Sequence, residues 1–184
     1  MNSVHEWKIP KKSYLEGLRL SQKNAERLFS KANELFNKKQ ILAAFLIGLA
    51  AYEEVGKALL ILKYWDDESI SKNQWDKWFK DHKKKLITAT ERMVIAFKKL
   101  HAEIDGIEVS ACELDKKDTD MIHNLIIMRT GCLYVDYNND SQRFIEPELD
   151  EKTLFEYAKI VILTCTDYRN TLNQEISNKN IVLE

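Results

Sequence analysis

The sequence predicts an all-α fold, an up-and-down bundle of four to five helices. Three observations carry this. Gly and Pro number only 5 and 2 in 184 residues, too few for the many turns of an all-β protein. Both prolines, Pro10 and Pro147, lie outside the periodic segments, where they break no helix. Apolar residues recur at alternating spacings of three and four, the period of one helix face. The length fits one domain: residues 1–12 read as an N-terminal extension, 13–177 as the helical domain and 178–184 as a tail.

Each element follows from its own signals. Ser13-x-x-Glu16 reads as a capping box opening helix 1, whose apolar stripe runs Leu18, Ala25, Leu28/Phe29, Ala32 and Leu35/Phe36 to about Asn37. The second helix, from about Gln40 to Trp65, is apolar on nearly all sides, so it is surrounded. Ser71-x-x-Gln74 is a second capping box. Beyond it, Trp75, Phe79, His82, Leu86, Ala89, Met93, Ala96 and Leu100 form one seam, which predicts a single third helix over 72–101, bent near Asp81. A fourth helix from about Asp118 carries Ile122, Leu125, Arg129, Cys132 and Asp136 on one stripe. After a loop rich in Asn and Asp, Asp150 caps the fifth helix, with Leu149 and Leu154 placed as a hydrophobic staple. Trp75, Trp78 and Phe79 read as packing, or, for Trp78, as an exposed interface anchor.

Charge and cysteine usage narrow the function. The formal net charge is −1, which argues against a general nucleic-acid or membrane-surface binder; neither a DNA nor a membrane partner is expected. Locally, residues 72–100 hold nine Lys/Arg against three Asp/Glu, a net of +6, read either as a solvated helix face or as a patch for phosphate or RNA backbone. The longest apolar run, Ile41 to Tyr52, is too short to span a bilayer. No signal peptide is apparent, and the three cysteines show no CxxC spacing. A soluble cytoplasmic protein is predicted. Asp120-x-x-His123 has ligand spacing, but the Glu-x-x-His motif of a di-iron site does not occur, so no metal and no cofactor are expected.

The most informative oddity is charge on core seams. Glu53, Glu54 and Lys57 interrupt an apolar helix, His82 sits on the seam of the third, and Arg129 and Asp136 share a face of the fourth. Buried charge is costly unless paired. At ~1.5 Å per residue, Glu53 lies about 18 Å from the end of the second helix and His82 about 15 Å from the start of the third. A hairpin therefore brings them to one height, and the same arithmetic matches His82 with Asp136. The group Glu53, Glu54, Lys57, His82, Arg129 and Asp136 is read as one cluster, either an ion-pair network fixing helix register or a catalytic or ligand-binding cleft.

These residues also carry a resemblance. Ala50-Ala51-Tyr52-Glu53-Glu54-Val55-Gly56-Lys57-Ala58 resembles the Glu-Glu-x-Gly-Lys-Ala signature of the AbiV abortive-infection family. His82 and Lys85 match its His-x-x-Lys segment. Arg129 followed by Leu133-Tyr134-Val135-Asp136 matches its Arg…Leu-Tyr-Val-Asp segment. The resemblance covers about residues 13–175. It implies a HEPN-like bundle, a homodimer, and a role in bacterial phage defence acting on RNA or the translation machinery. Many HEPN proteins are metal-independent RNases with an Arg-x4–6-His motif; here Asp136 stands where that histidine would be, and His82 from another helix is the replacement base. On this reading His82, Arg129, Glu53, Glu54, Lys57 and Asp136 form the catalytic set, and Lys85 and Tyr134 contact substrate. The alternative is a non-enzymatic dimeric module that sequesters a phage or host protein, its polar cluster purely structural. The apolar residues Leu42, Phe45, Leu49 and Leu59 are too large to leave exposed as one patch. Either the second helix is central in a five-helix domain or a partner buries its spare face. The resemblance favours the symmetric dimer, with the second helix or its neighbours at the interface.

Overall fold

The computed structural model describes residues 10–65, 70–104, 115–133, 136–138, 143–145, 150–163 and 165–182. Its elements are α1 (Lys11–Asn37), α2 (Ile41–Lys63), α3 (Lys72–Lys80), α4 (His82–Ile104), α5 (Lys116–Leu133), β1 (Asp136–Asn138), β2 (Arg143–Ile145), α6 (Glu151–Leu163) and α7 (Cys165–Asn178). The all-α bundle is borne out. Among the described residues a short two-stranded antiparallel sheet adds to it, with Asp136 opposite Ile145 and Asn138 opposite Arg143.

α1 lays Tyr14, Leu18, Ser21, Ala25, Phe29 and Ala32 against the core, the three-and-four spacing of one helix stripe. It begins at Lys11 with Pro10 as N-cap and no side-chain cap. Ser13 therefore lies inside the first turn, its N–H donating to the Pro10 carbonyl, and the Ser13 capping box does not form. Pro10 is itself the N-cap, and its carbonyl accepts from the N–H groups of Ser13 and Tyr14, so the first turn starts ahead of the serine. α1 ends in a Schellman turn: Gln40 N–H bonds to Leu35 O, Lys39 N–H to Phe36 O, and Lys39 has φ 62°, the left-handed position usually given to glycine.

α2 is the central element. It packs on α1, α4, α5, α6 and α7, and Phe45, Leu49, Tyr52, Val55, Leu59, Leu60, Ile61 and Leu62 are all buried. The chain itself thus covers Phe45, Leu49 and Leu59, which is the central-helix solution rather than a face buried by a partner. Leu42, at the helix start, is the exposed member of that group.

The third predicted helix is present but divided. Ser71 and Gln74 form the expected capping box at α3, and the chain breaks at Asp81, whose ψ of 96° is extended. The Asp81 carboxylate then accepts the Lys84 N–H at 2.9 Å, starting α4 afresh. Leu86 and Ala89 keep the core stripe beyond the break. Asp150 caps α6 through the N–H groups of Lys152 and Thr153; Leu149, its predicted staple partner, lies outside the described residues. The fifth predicted helix corresponds to α6 and α7, described separately because position 164 is outside the described set.

The α2–α4 contact is unusually close. A Cβ built on Gly56 would lie 2.0 Å from the Lys85 carbonyl oxygen and 2.6 Å from its carbon. At Gly17 the nearest atom is the tip of Ile61, at 3.1 Å. Backbone cannot swing aside as a side-chain end can. Gly56→Ala is therefore expected to cost about 2–3 kcal/mol in urea unfolding, whereas Gly17→Ala should be neutral or stabilising by up to ~1 kcal/mol.

Candidate functional site

The site grows from the problem of Glu53. It occupies the middle of α2, where neighbouring helices exclude water, and its side chain is 9% exposed. A carboxylate so placed needs cations and donors. Two arrive from different helices. Oε2 lies 2.5 Å from His82 Nδ1, and Oε1 lies 2.9 Å from Arg129 Nε. The first is a hydrogen bond. The second is an ion-pair contact only, since the Nε–H is not directed at Oε1, which has no hydrogen-bond partner among the described residues.

Local structure explains each position. Arg129 follows buried Leu125 by four residues on α5, so it continues the core-facing stripe. Its side chain reaches Glu53 while remaining 26% exposed. His82 is the first residue of α4, set by the Asp81 corner. That corner takes His82 off the core stripe predicted for it: its side chain is 60% exposed. Exposure thus rises from the carboxylate through the guanidinium to the imidazole. On α2, Gly56 follows Glu53 by three residues and shares its face, and the bare glycine is what lets α4 come close enough.

A second group of charges lies beside this triad. Lys57 bonds to Glu54 at 2.5 Å, both side chains being partly buried. Lys85 is buried and donates to the Phe79 carbonyl at 2.9 Å. Burial is the main cause that holds its ammonium below the ordinary lysine range; Lys57 adds to this, while Glu53, Glu54 and Asp81 oppose it. Lys85, expected to meet substrate, is buried, with its ammonium turned to the Phe79 carbonyl. Among the described residues no group of three or more His, Cys, Asp or Glu is arranged to hold a metal ion, and no helix is long and apolar enough to cross a membrane.

The structure brings together Glu53, His82 and Arg129, with Glu54, Lys57 and Lys85 alongside. It does not place Asp136 on the helix face of Arg129. Asp136 lies in β1, because Leu133-Tyr134-Val135-Asp136-Tyr137 is rich in aromatic and β-branched residues and leads into an Asn/Asp-rich stretch, a hairpin signal rather than a helical one. The side chain of Asp136 and all of Tyr134 lie outside the described residues. Two features escaped the sequence reading. One is the Asp81 cap, foreshadowed by its position three residues before Lys84. The other is the steric role of Gly56, whose signal was a glycine inside an otherwise favourable helix.

An ionised carboxylate only accepts, so the short contact to Glu53 puts the hydrogen of a neutral His82 on Nδ1. The basic lone pair is then on Nε2 of an exposed ring. The contact to Glu53 uses the Nε edge of Arg129, and its terminal nitrogens carry four further N–H donors. A base and an anion-binding fork are thus held by one buried carboxylate.

Compared with known proteins, residues 13–163 match the family model HEPN_AbiV, described as AbiV. No curated protein and no solved structure matches the chain.

Arg129→Met removes the cation from a buried carboxylate. The cost should be about 2–4 kcal/mol in urea unfolding, the lower part reflecting the partial exposure of Arg129. A change below about 0.5 kcal/mol would mean a solvated guanidinium. Lys85 gives a pH signature. Its folded value lies below the ordinary 10.5. Between the two, the unfolded chain binds more protons, so this residue makes stability rise with pH in that window. Unfolding measured from neutral to alkaline pH should show wild type gaining stability relative to Lys85→Met as pH approaches 10.5.

Proposed function

The chain belongs to the AbiV family, and from that premise we propose that it is an abortive-infection protein that cleaves RNA at the Glu53–His82–Arg129 site. The observation that carries this reading is the short contact from Glu53 to His82 Nδ1. It sets the tautomer of an exposed imidazole in the way a general base requires.

In this mechanism His82 Nε2 takes the proton of a ribose 2′-hydroxyl. The 2′-oxygen attacks the adjacent phosphorus as the bond to the 5′-oxygen breaks. Protonated His82 then returns its proton to that leaving oxygen, giving a 2′,3′-cyclic phosphate and a 5′-hydroxyl. The terminal nitrogens of Arg129, together with Lys57, stabilise the charge that builds on the phosphoryl oxygens. Glu53 orients His82 and Arg129 and balances the imidazolium, and Glu54 holds Lys57. The residues needed for this chemistry are all side chains of the protein.

The protein acts as a homodimer in this proposal. With α2 covered by its own chain, the apolar surface offered to a second copy is on the outer side of α6, where Phe155, Ile160 and Leu163 are exposed. These side chains alternate on that side with the exposed Lys152, Glu156 and Lys159, a mixed apolar and charged surface of the kind a two-fold contact can use.

Incubation of the purified protein with total RNA and tRNA, with and without EDTA, tests the activity. Cleavage is expected in both conditions. His82→Ala in a folded protein should reduce it by about 10²–10⁴-fold, the usual value of a positioned base. No cleavage by wild type would instead favour a binding module with a structural cluster. Light scattering at micromolar concentration should give about twice 21.6 kDa. A mass that stays at the monomer value on concentration eliminates the dimer.

A further inference from the structure

Beside the Glu53–His82–Arg129 site, the end of α2 and the α3–α4 corner carry a second constellation. α3 turns Trp75 and Phe79 toward the core, where both pack against it. Trp78 stacks instead on Tyr64, with ring centroids 4.2 Å apart and planes 15° from parallel. Both rings are half-buried. The ammonium of Lys84 lies 4.9 Å over the Trp78 ring, and that of Lys63 lies 5.5 Å over Tyr64. The arrangement is a pair of stacked aromatics with a cation beside each. Lys72, Lys77, Lys80 and Lys83, on the same α3–α4 segment, are exposed, and residues 72–85 hold six Lys against two Asp.

We infer that this surface is a binding platform for single-stranded RNA, with bases stacking on Trp78 and Tyr64 and the surrounding lysines meeting the phosphates; this rests on the RNA reading of the neighbouring site. Aromatic faces interleaved with cations match the alternation of base and phosphate along a single strand. An ammonium resting on the open side of a half-buried ring is held weakly and on a flexible stem, whereas a base on an indole is held more firmly. A base therefore displaces Lys84 from Trp78, and the freed ammonium stands beside the phosphate next to that base. A duplex keeps its bases stacked on one another and offers no such face. The platform is coupled to the chemistry by short covalent distance. Trp78 precedes His82 by four residues, and the Asp81 carboxylate that begins α4 is bonded to the backbone of Lys84 itself.

The test is fluorescence anisotropy of the full chain with a labelled 2′-O-methyl single strand of about eight nucleotides, a typical site size. This probe lacks the hydroxyl nucleophile and stays intact. Trp78→Leu should weaken binding about tenfold, and Trp78→Phe should recover most of the loss, because a ring rather than a fold is at stake. Lys63→Gln with Lys84→Gln, which leaves both rings in place, should lower the salt slope of log K by about 1.4, the single-strand value for two phosphate contacts. This pair decides the matter should Trp78→Leu fail to fold. Unchanged binding in Trp78→Leu, an unchanged salt slope, or equal affinity for a duplex overturns the platform, whether or not wild type cleaves RNA. Loss of binding in Trp78→Leu supports it even where no cleavage occurs. A wild-type protein that binds no RNA overturns it as well.

Discussion

A carboxylate in the middle of a helix without a solvent face is the constraint on which this structure turns. α2 is enclosed by five other helices, so Glu53 has no recourse to bulk water and its charge must be met by neighbours. α4 supplies His82 and α5 supplies Arg129. Slipping either helix by one residue would turn its polar side chain away from Glu53 and leave a buried charge exposed to apolar surroundings. The ion pairs thus fix register, and that fixing is what gives the site a reproducible geometry.

Sterics and electrostatics meet at the same crossing. Glu53 and Gly56 share one face of α2, and His82 and Lys85 share one face of α4. The missing side chain at Gly56 admits the Lys85 backbone, and the close approach puts His82 within hydrogen-bond reach of Glu53. Approach on this scale also buries Lys85, whose ammonium turns to the Phe79 carbonyl rather than outward. Glu-Glu-x-Gly-Lys can therefore be read physically: a buried anchor, a paired carboxylate, a contact point without a side chain, and a cation for the second carboxylate. Exposure then rises from an inaccessible anchor to an imidazole that solvent can reach.

Much of this was legible in the sequence, for a definite reason. Charge at positions of helical apolar period is expensive, so Glu53, His82 and Arg129 announced themselves, and the rise per residue brought Glu53 and His82 to one level. A bend near Asp81 was expected from the sequence, and there the chain breaks outright into α3 and α4. Periodicity failed where local chemistry overrode it. Asp136 fits a seven-residue continuation from Arg129, but α5 ends at Leu133 and Asp136 lies in the strand β1. Ser13 fits a capping box, but the proline three residues earlier starts the helix. The apolar surface of α2 was legible as surplus, yet periodicity cannot tell whether a surplus face is covered by the same chain or by another copy. The close approach at Gly56 and the Tyr64–Trp78 stack depend on distances between helices, which no single-chain pattern contains.

The central claim is that Glu53 holds His82 and Arg129 for attack by the ribose of RNA on its own phosphate. The most direct measurement is mass spectrometry of the ends left on a defined single-stranded RNA. The account predicts 2′,3′-cyclic phosphate on one fragment and 5′-hydroxyl on the other, formed in the presence of EDTA. Fragments ending in 3′-hydroxyl and 5′-phosphate would contradict it, because water rather than the 2′-oxygen would then have attacked phosphorus.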